Sequence, residues 1–481
     1  MKFGSSFRKI LLISIVLIIR NLSGGQIKPV LDYVNTLKND KDLRGAIISV
    51  KVTDEFGNAS LKYNSDILLM PASIQKIVTT GTALMILGKD YRYSTTLAYD
   101  GFVGYDSILN GNIYIIGYGD PTLGSDRFAG TLPDHIFGFF ADALSKTGIK
   151  TINGKIIPVS DYFKDGYDTE PLAHRTWECE DTGSYYGVGA SSLNFCENKF
   201  DMTLYRSPEN TDFYCDYPFK KYDKVRLDII DSDKNDDSDL SIYVNPFDSV
   251  YFIKGRLSVS DKDKILECAL LNPQEACAES FADFLHYAGF SVKSNNIPQK
   301  TPTVIAEHKS PTYSEIAMIT NSHSNNLFAD AAFKTVGKMT AGKAQYEDAA
   351  KAITEILKKS GMDVTNINVA DGSGLSRRNS VTADFLCEYL RFIKTHIPDF
   401  DKYLPAPGDR GTMKNFMSSY SCKSKVRMKS GTLTGAIGYA GYVKDKRNRT
   451  QYVAVMVNNY TCKASTVRKK LEQLIHLISE I

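Results

Sequence analysis

The sequence predicts a mixed α/β (α+β) protein in which one discontinuous domain is interrupted by a large, mostly β insertion. Its 481 residues exceed the roughly 250–300 that a single hydrophobic core supports, so at least two domains are expected. Apolar residues recur with helical spacing towards both ends, whereas the middle holds short alternating segments rich in Asp, Gly, Tyr and Asn. We expect the discontinuous domain at 26–96 and 300–481, and the insertion, built as two nested small domains, at 97–299.

The first 25 residues have the pattern of a secretory signal. Three basic residues precede the apolar run Ile10–Ile19, and small residues follow at 23–25. This run is shorter than the ~20 residues needed to span a bilayer, and Arg20 interrupts it. We therefore expect an exported chain without a stable membrane span; a retained single-span anchor is the alternative.

Charge and composition exclude several function classes. The first 25 residues carry four basic and no acidic side chains, so their removal takes the net charge from +3 to about −1. Such a balance gives no electrostatic basis for nucleic-acid binding. The acidic stretch 231–239 lacks the Gly and the closing Glu of a calcium-binding EF-hand loop, so we interpret it as a solvated surface loop.

The eight cysteines do not form a metal-binding pattern. No CxxC pair, HExxH motif or His-Cys cluster at zinc spacing occurs, so we expect no metal and no other cofactor. Disulfides in an oxidising compartment are left open, because eight cysteines allow 105 connectivities. These cysteines are Cys179, Cys196, Cys215, Cys268, Cys277, Cys387, Cys422 and Cys462.

Periodicity predicts the elements that flank the candidate functional residues. The last helix carries an apolar stripe that we expect to pack in the core; docking on a membrane is the alternative. The predicted elements are a strand at 45–50, helices beginning near Ser73 and at Tyr313–Asn321, Leu327–Val336, Gln345–Lys359 and Val467–Ile478, and strands at Ala436–Val443 and Tyr452–Val457.

Ser73 and Lys76 are the first candidate catalytic pair. Residues three apart share a helix face, so the Lys76 amine can lie beside the Ser73 hydroxyl. A serine is a poor nucleophile until a base removes its proton, and an ordinary lysine, with a pKa of about 10.4, is protonated at neutral pH. Burial and nearby positive charge lower a lysine pKa, and the helix N-terminus offers N–H groups to a reacting carbonyl.

Ser324-Asn325-Asn326 lies between two predicted helices. A serine and an amide two residues apart on a tight turn can point into one cleft, where Ser324 could relay a proton and Asn326 could hold the Lys76 amine or a substrate amide. A helix-capping turn is the alternative interpretation.

Lys429-Ser430-Gly431-Thr432 precedes strand-forming sequence. A lysine on a strand edge, beside a glycine that lets a substrate approach the backbone, suits an extended peptide that ends in a carboxylate.

Together, SxxK, SxN and K[ST]G in this order resemble the motif set of penicillin-binding proteins and class A β-lactamases. Over roughly 40–460 the chain is similar to the D-Ala-D-Ala carboxypeptidase/endopeptidase family of low-molecular-mass class C penicillin-binding proteins (peptidase family S13). About 250 positions separate Ser73 from Ser324, which favours this family over class A β-lactamases. Asn325, where Asp is common, and Ser430, where Thr is usual, depart from the pattern. The further similar segments are Gly119–Leu123, Tyr185–Gly187, Ser324–Asp330 and Asp371–Arg377.

The resemblance implies a penicillin-binding/serine β-lactamase-like domain, with an antiparallel sheet flanked by helices, and a mechanism. Ser73 would attack the carbonyl between two terminal D-alanines of a peptidoglycan stem peptide, with Lys76 as base and the N–H groups of Ser73 and Thr432 as oxyanion hole. Lys429, Ser430 and Thr432 would bind the carboxylate, and Ser324 and Asn326 would pass a proton to the leaving amine. Whether Lys76 or Ser324 acts first as base stays open.

The same resemblance implies peptidoglycan peptides and β-lactam antibiotics as partners, in the periplasm or cell envelope of a bacterium. Asp371–Leu375 either shapes the cleft floor or is a structural glycine turn, and we expect Trp177 and Tyr185–Tyr186 to be core aromatics. Oligomeric state and the choice between carboxypeptidase and endopeptidase are left open.

Three alternative functions fit the sequence less well. A serine β-lactamase would hydrolyse the acyl-enzyme quickly, and the long insertion and lack of an identifiable deacylating Glu argue against it. A non-catalytic binding protein for cell-wall peptides would not need all three motifs intact. A Ser-His-Asp esterase would need a G-x-S-x-G elbow, which no candidate serine has.

Overall fold

The computed structural model describes residues 27–167, 173–206, 211–216, 218–219, 224–245 and 249–481. The predicted signal, 1–25, lies outside these residues. Among the described helices, none is both long and apolar enough to cross a bilayer. The helices are α1 27–38, α2 Gln75–Leu87, α3 Pro133–Lys146, α4 Cys179–Thr182, α5 Pro273–Tyr287, α6 Tyr313–His323, α7 Asn326–Ala341, α8 Tyr346–Lys359, α9 Ala383–His396 and α10 Ala464–Ser479.

The strands divide between a principal sheet, the smaller sheets of the middle region (residues 94–309) and a two-stranded sheet of Ile367–Asn368 and Ser380–Val381. In chain order they are β1 Ile47–Thr53, β2 Ala59–Tyr63, β3 Ser94–Tyr99, β4 Phe102–Val103, β5 Ile108–Asn110, β6 Ile113–Gly117, β7 Thr151–Ile152, β8 Ile156–Val159, β9 Lys199–Arg206, β10 Thr211–Cys215, β11 Val225–Ser232, β12 Asp239–Asn245, β13 Val250–Ser258, β14 Asp263–Ala269, β15 Ser291–Val292, β16 Thr303–Lys309, β17 Ile367–Asn368, β18 Ser380–Val381, β19 Val426–Leu433, β20 Ala436–Lys444 and β21 Thr450–Asn458.

The principal sheet is antiparallel, with the strand order β19-β20-β21-β1-β2. Side chains alternate along a strand, and here both faces are buried. In β21, Val453, Val455 and Val457 face the cluster that contains α1 and α10, whereas Ala454 and Met456 face the cluster formed by α2 and α6–α9. This arrangement confirms the predicted antiparallel sheet flanked by helices, and it explains why β20 and β21 are almost continuously apolar.

The final helix packs in the core, as predicted. Its apolar stripe is fully buried in the cluster that α10 shares with the principal sheet, so this face is not available to a membrane. The stripe consists of Val467, Leu471, Leu474, Ile475 and Ile478.

The middle region is rich in strands, with α3 and α5 as its longer helices. Strands β3 and β16 pair from Ser94 opposite Lys309 onwards, which brings the two ends of the region together. Its sheets have the orders β16-β3-β6-β8, β15-β7-β5-β4, β10-β9-β14 and β11-β13-β12, and one apolar cluster is drawn from residues 97–306. The division into two nested domains stays a prediction, and the separate sheets formed by β9, β10 and β14 and by β11–β13 favour it.

Most cysteines are buried in this fold, and most of the acidic stretch 231–239 is exposed. Apart from Cys215, the cysteines are free thiols, and five of the eight are buried. Residues 233–237, between β11 and β12, are exposed, which confirms a solvated loop for this part of the stretch, whereas Asp231 and Ser232 end β11 and Asp239 begins β12. Within the described residues, no group of three or more His, Cys, Asp or Glu side chains is arranged to hold a metal ion.

Candidate active site

Ser73 lies in a single 3₁₀ turn, Ala72–Ile74, that leads directly into α2. Ala72 has a left-handed φ of 47°, and its carbonyl faces Gly374, where an added Cβ would lie 2.0 Å from the Ala72 oxygen. On the other side, a Cβ on Gly431 would lie 2.4 Å from the Pro71 oxygen. Two glycines on distant segments therefore let the backbone approach closely enough to fix the position of the serine.

Lys76 is fully buried, and its ammonium group has three hydrogen-bond acceptors. Nζ donates to Ser73 Oγ at 3.0 Å, to Asn326 Oδ1 at 2.6 Å and to the Ser373 carbonyl at 2.6 Å. Burial lowers the pKa of Lys76 to about 8, against the opposing effect of the Asp330 and Asp371 carboxylates. A substantial neutral fraction near physiological pH is the property that the predicted base requires.

Lys429 is a second buried lysine, on edge strand β19. Its Nζ donates to Ser324 Oγ at 2.9 Å and to the Ser430 carbonyl at 2.8 Å. Burial, followed by the charge of Lys76, lowers the pKa of Lys429 well below its usual value. No carboxylate is within salt-bridge distance of this lysine in the described part of the chain.

Ser324 and Asn326 belong to the junction between α6 and α7. Ser324 ends α6 with a left-handed φ of 57°, and Asn326 begins α7. Besides accepting from Lys76, Asn326 donates through Nδ2 to the Tyr186 carbonyl at 2.7 Å. The tight turn thus points Asn326 at Lys76, which is one of the two contacts that the sequence suggested for this amide, and Ser324 at Lys429, a contact that the sequence did not suggest.

Strand β19 presents its outer edge to the same cleft. The Met428 N–H donates to the Pro405 carbonyl, away from β20. Because backbone groups alternate along an antiparallel strand, the N–H groups of Ser430 and Thr432 face the same outer edge. Ser430 Oγ donates to Thr412 Oγ1 at 2.9 Å, and Thr432 is exposed.

The cleft above Ser73 has a volume of about 570 Å³, and one wall comes from the middle region. Tyr185 and Tyr186 line it with 45% and 36% of their surface exposed. The prediction that they are core aromatics is wrong, because their segment packs beside α7 and leaves the rings facing the opening. Trp177 is a core aromatic as predicted: it is buried and donates to Asp371 Oδ2 at 2.7 Å.

The Asp371–Leu375 loop forms the floor of the site. Asp371 accepts from the Gly374 and Ser376 N–H groups, each at 2.7 Å, and the loop places the Ser373 carbonyl against Lys76. Gly374 and Leu375 line the cleft. Of the two interpretations left open, the geometry favours a loop that shapes the cleft.

Two acidic residues near the site were not singled out by the sequence. Asp330 is buried in α7, where Oδ1 accepts from the Gly372 and Ser373 N–H groups at 2.8 and 3.1 Å. Burial, and then the neighbouring Asp371, raise the pKa of Asp330 to about 8. Glu197, in the middle region, reaches Asn325. The short side chains of its neighbours, Cys196 and Asn198, are the only sequence signal of an unusual turn. No spacing rule connects Glu197 to Asn325.

Comparison with known proteins identifies the family. The profile of the D-Ala-D-Ala carboxypeptidase 3 (S13) family matches residues 31–479. The chain belongs to this family. The resemblance that the three motifs indicated is therefore confirmed, and it extends over nearly the whole sequence.

Relatives and solved structures agree with this assignment. The D-alanyl-D-alanine carboxypeptidase of Actinomadura sp. (strain R39) is 25% identical over 446 residues, covering 88% of this chain and 79% of the relative. The D-alanyl-D-alanine carboxypeptidase DacB of Haemophilus influenzae is 25% identical over 415 residues, covering 83% and 82%. The crystal structure of penicillin binding protein 4 (dacB) from H. influenzae has a TM-score of 0.78 at 22% identity, covering 93% of this chain and 99% of that one. The same Haemophilus protein complexed with a β-lactam, at 22% identity, has a TM-score of 0.72 and covers 93% and 97%.

Proposed function

We propose that the chain is a serine-type D-Ala-D-Ala carboxypeptidase or endopeptidase that acts on peptidoglycan stem peptides and binds penicillins at the same serine. One observation carries the proposal. Ser73, Lys76 and Asn326 form one hydrogen-bonded chain, and Lys429 and Ser324 form a second, in one cleft of an S13-family fold.

Lys76 is the base in the acylation step. Its neutral form accepts the proton of Ser73 Oγ, 3.0 Å away, as this oxygen forms a bond to the carbonyl carbon of the scissile amide. The electron pair of the C=O bond moves to the oxygen, which then meets the N–H groups of Ser73 and Thr432. These donors are fixed in the 3₁₀ turn and on the outer edge of β19, so they need little reorganisation.

Ser324 completes the step from the other side of the cleft. The C–N bond breaks, and the departing amine takes a proton from Ser324 Oγ, to which Lys429 Nζ donates at 2.9 Å. Asn326 holds Lys76 in place, and the proton that Lys76 took from Ser73 passes to Ser324 Oγ, which leaves Lys76 neutral and Ser324 protonated again. Water then attacks the ester on Ser73 and gives a proton to neutral Lys76. Lys76 returns this proton to Ser73 Oγ as the ester C–O bond breaks, which restores the free enzyme.

Lys429 binds the terminal carboxylate of the substrate peptide. Burial lowers the pKa of Lys429, and no acidic partner among the described residues opposes this effect, so an incoming carboxylate would stabilise the ammonium form of Lys429. Ser430 and Thr432, on the outer edge of β19, supply hydroxyl and N–H donors beside it. This combination favours peptides that end in a free carboxylate.

The test is covalent labelling with a fluorescent penicillin. Wild type is expected to take up one label per chain, and Ser73→Ala none. Ser418→Ala, which removes an exposed serine hydroxyl, is the matched control and should label like wild type. Absence of label on wild type, or label that survives Ser73→Ala, contradicts the proposal.

Turnover of the label and of peptides separates the related activities. Rapid release of hydrolysed penicillin would indicate the β-lactamase alternative, and tight peptide binding without acylation would indicate a binding protein. Release of D-alanine from a pentapeptide, compared with cleavage of a cross-linked dimer, then distinguishes carboxypeptidase from endopeptidase.

The substrate also sets the proposed location. Peptidoglycan lies outside the cytoplasmic membrane, and the predicted signal at 1–25 provides the route of export to the periplasm or cell envelope. Mass spectrometry of the secreted chain is expected to show an N-terminus near residue 26; retention of 1–25 would favour the anchored form.

A further inference from the structure

A strained turn in the middle region points one carboxylate at the catalytic motifs. Cys196, Glu197 and Asn198 have φ values of 51°, 54° and 50°. Non-glycine residues rarely adopt this left-handed conformation, and three in succession are retained only where the surroundings enforce them. Asn198 helps to do so, because its Oδ1 accepts from the Phe195 N–H at 3.0 Å. The turn projects Glu197 to the cleft, where only 6% of the residue is exposed.

Both oxygens of the Glu197 carboxylate are occupied. Oε1 accepts from Ser125 Oγ at 2.6 Å and from Arg127 Nε at 2.7 Å, which holds the group on the middle region. Oε2 accepts from Asn325 Nδ2 at 2.8 Å. With both oxygens so engaged, Glu197 acts as an anchor and not as a base.

Asn325 is suited to receive this contact. Its Oδ1 accepts the Phe328 N–H at 3.0 Å and so caps α7, which leaves its Nδ2 free to donate to Glu197. The orientation of the amide is therefore fixed by two partners of opposite kind. An aspartate here would keep the cap but place a carboxylate against Glu197.

We propose that Glu197 is a positioning residue that fixes the Ser324-Asn325-Asn326 turn through Asn325, and that Glu197 and Asn325 are matched to each other in this chain. The residues on either side of Asn325 carry the consequences: Ser324 Oγ lies 2.9 Å from Lys429 Nζ, and Asn326 Oδ1 lies 2.6 Å from Lys76 Nζ. This inference rests on the proposed function, because it assigns Glu197 to the acylation step of that reaction.

An exchange of the two functional groups tests the match. Glu197→Gln places an amide donor against the Asn325 amide, and Asn325→Asp places two carboxylates together. The double variant Glu197→Gln/Asn325→Asp restores one donor and one acceptor. In it, the new amide at position 197 can donate to the new carboxylate at position 325, while the amide oxygen still accepts from Ser125 and Arg127. The readouts are the second-order rate constant of penicillin acylation, the kcat and KM for D-Ala release, and the melting temperature.

We expect each single variant to lower the rate constant of penicillin acylation by about tenfold or more. For D-Ala release, the loss should fall chiefly on kcat and less on KM. The double variant should return within about threefold of wild type. Glu267→Gln/Asn325→Asp is the matched control. Glu267 also lines the cleft but pairs with Lys199, so this variant has the net charge of wild type and should show no rescue.

Each of three results would overturn the inference. The first is a double variant in which the losses of the two single variants multiply, and the second is single variants that acylate like wild type. The third is Glu267→Gln restoring the activity of Asn325→Asp as well as Glu197→Gln does. If Asn325→Asp does not fold, recovery of folded, reactive protein in the exchange variant supports the match. If neither folds, Glu197→Gln decides: slow acylation at an unchanged melting temperature supports the role, and normal acylation refutes it. Failure of the proposed function is distinct, since wild type itself would then take up no penicillin.

Discussion

Replacing Gly431 with alanine should displace Ser73, the proposed nucleophile, without contacting it. The new Cβ would start 2.4 Å from the Pro71 carbonyl oxygen and 3.0 Å from the Ile74 nitrogen, whereas ordinary contact begins at 3.4 Å. Both neighbours are backbone atoms of the turn that carries Ser73, and neither can rotate away as a side chain would. Relief therefore requires the turn and β19 to separate by about 1 Å, and a misplacement of that size can cost about 100-fold in rate.

The measurement is the second-order rate constant for acylation by a labelled penicillin, together with the melting temperature. We expect Gly431→Ala to acylate about 100-fold more slowly than wild type. Gly138→Ala is the control, because position 138 lies within α3 and its nearest neighbour is 4.0 Å from the new Cβ. If Gly431→Ala is acylated at the wild-type rate and has an unchanged melting temperature, the idea that the close approach of β19 positions Ser73 is refuted.

Three further outcomes follow from the geometry. Acylation should rise with pH as Lys76 loses its proton, with a midpoint near the pKa of about 8, and a flat profile between pH 7 and 9 would contradict its role as base. Lys429→Gln should lose the preference for penicillin over its methyl ester, by about 10- to 100-fold in acylation rate constant, as expected for a charged hydrogen bond worth about 1.5–3 kcal/mol; an unchanged preference would place the carboxylate elsewhere. Trp177→Phe should lower the free energy of unfolding by about 1–3 kcal/mol in urea, because it leaves the buried Asp371 without one donor, and a smaller loss would show that water replaces the indole.

The sequence predicted most of what depends on local periodicity and on the order of motifs. Helix α8 begins at Tyr346 and ends at Lys359, within one residue of the predicted bounds, because its apolar face and the following Gly361 are local signals. Apolar runs in the sequence predict strands β20 and β21, and the burial of both faces of the principal sheet explains these runs. The motif residues were placed in one cleft by resemblance, since no periodicity brings positions 250 apart together.

Features that depend on contacts between distant segments cannot be predicted from local sequence patterns. Tyr185 and Tyr186 look like core aromatics by type, and only the packing of their segment against α7 leaves them half-exposed. Gly431 suggested an approach of substrate to the backbone, but in the structure its bare Cα faces Pro71. The partnership of Glu197 with Asn325 spans 128 positions and requires three consecutive left-handed residues, which no propensity favours.

These distant contacts give the middle region a role in the site itself. Trp177 donates to Asp371 in the loop whose Ser373 carbonyl holds Lys76, and the Tyr186 carbonyl accepts from Asn326. Glu197 adds the third contact, through Asn325. Each bond ends on a buried or half-buried polar group that would otherwise lose a partner, so the geometry of the proposed catalytic residues depends on the middle region. The long interval between Ser73 and Ser324 is thus occupied by residues that help to position both.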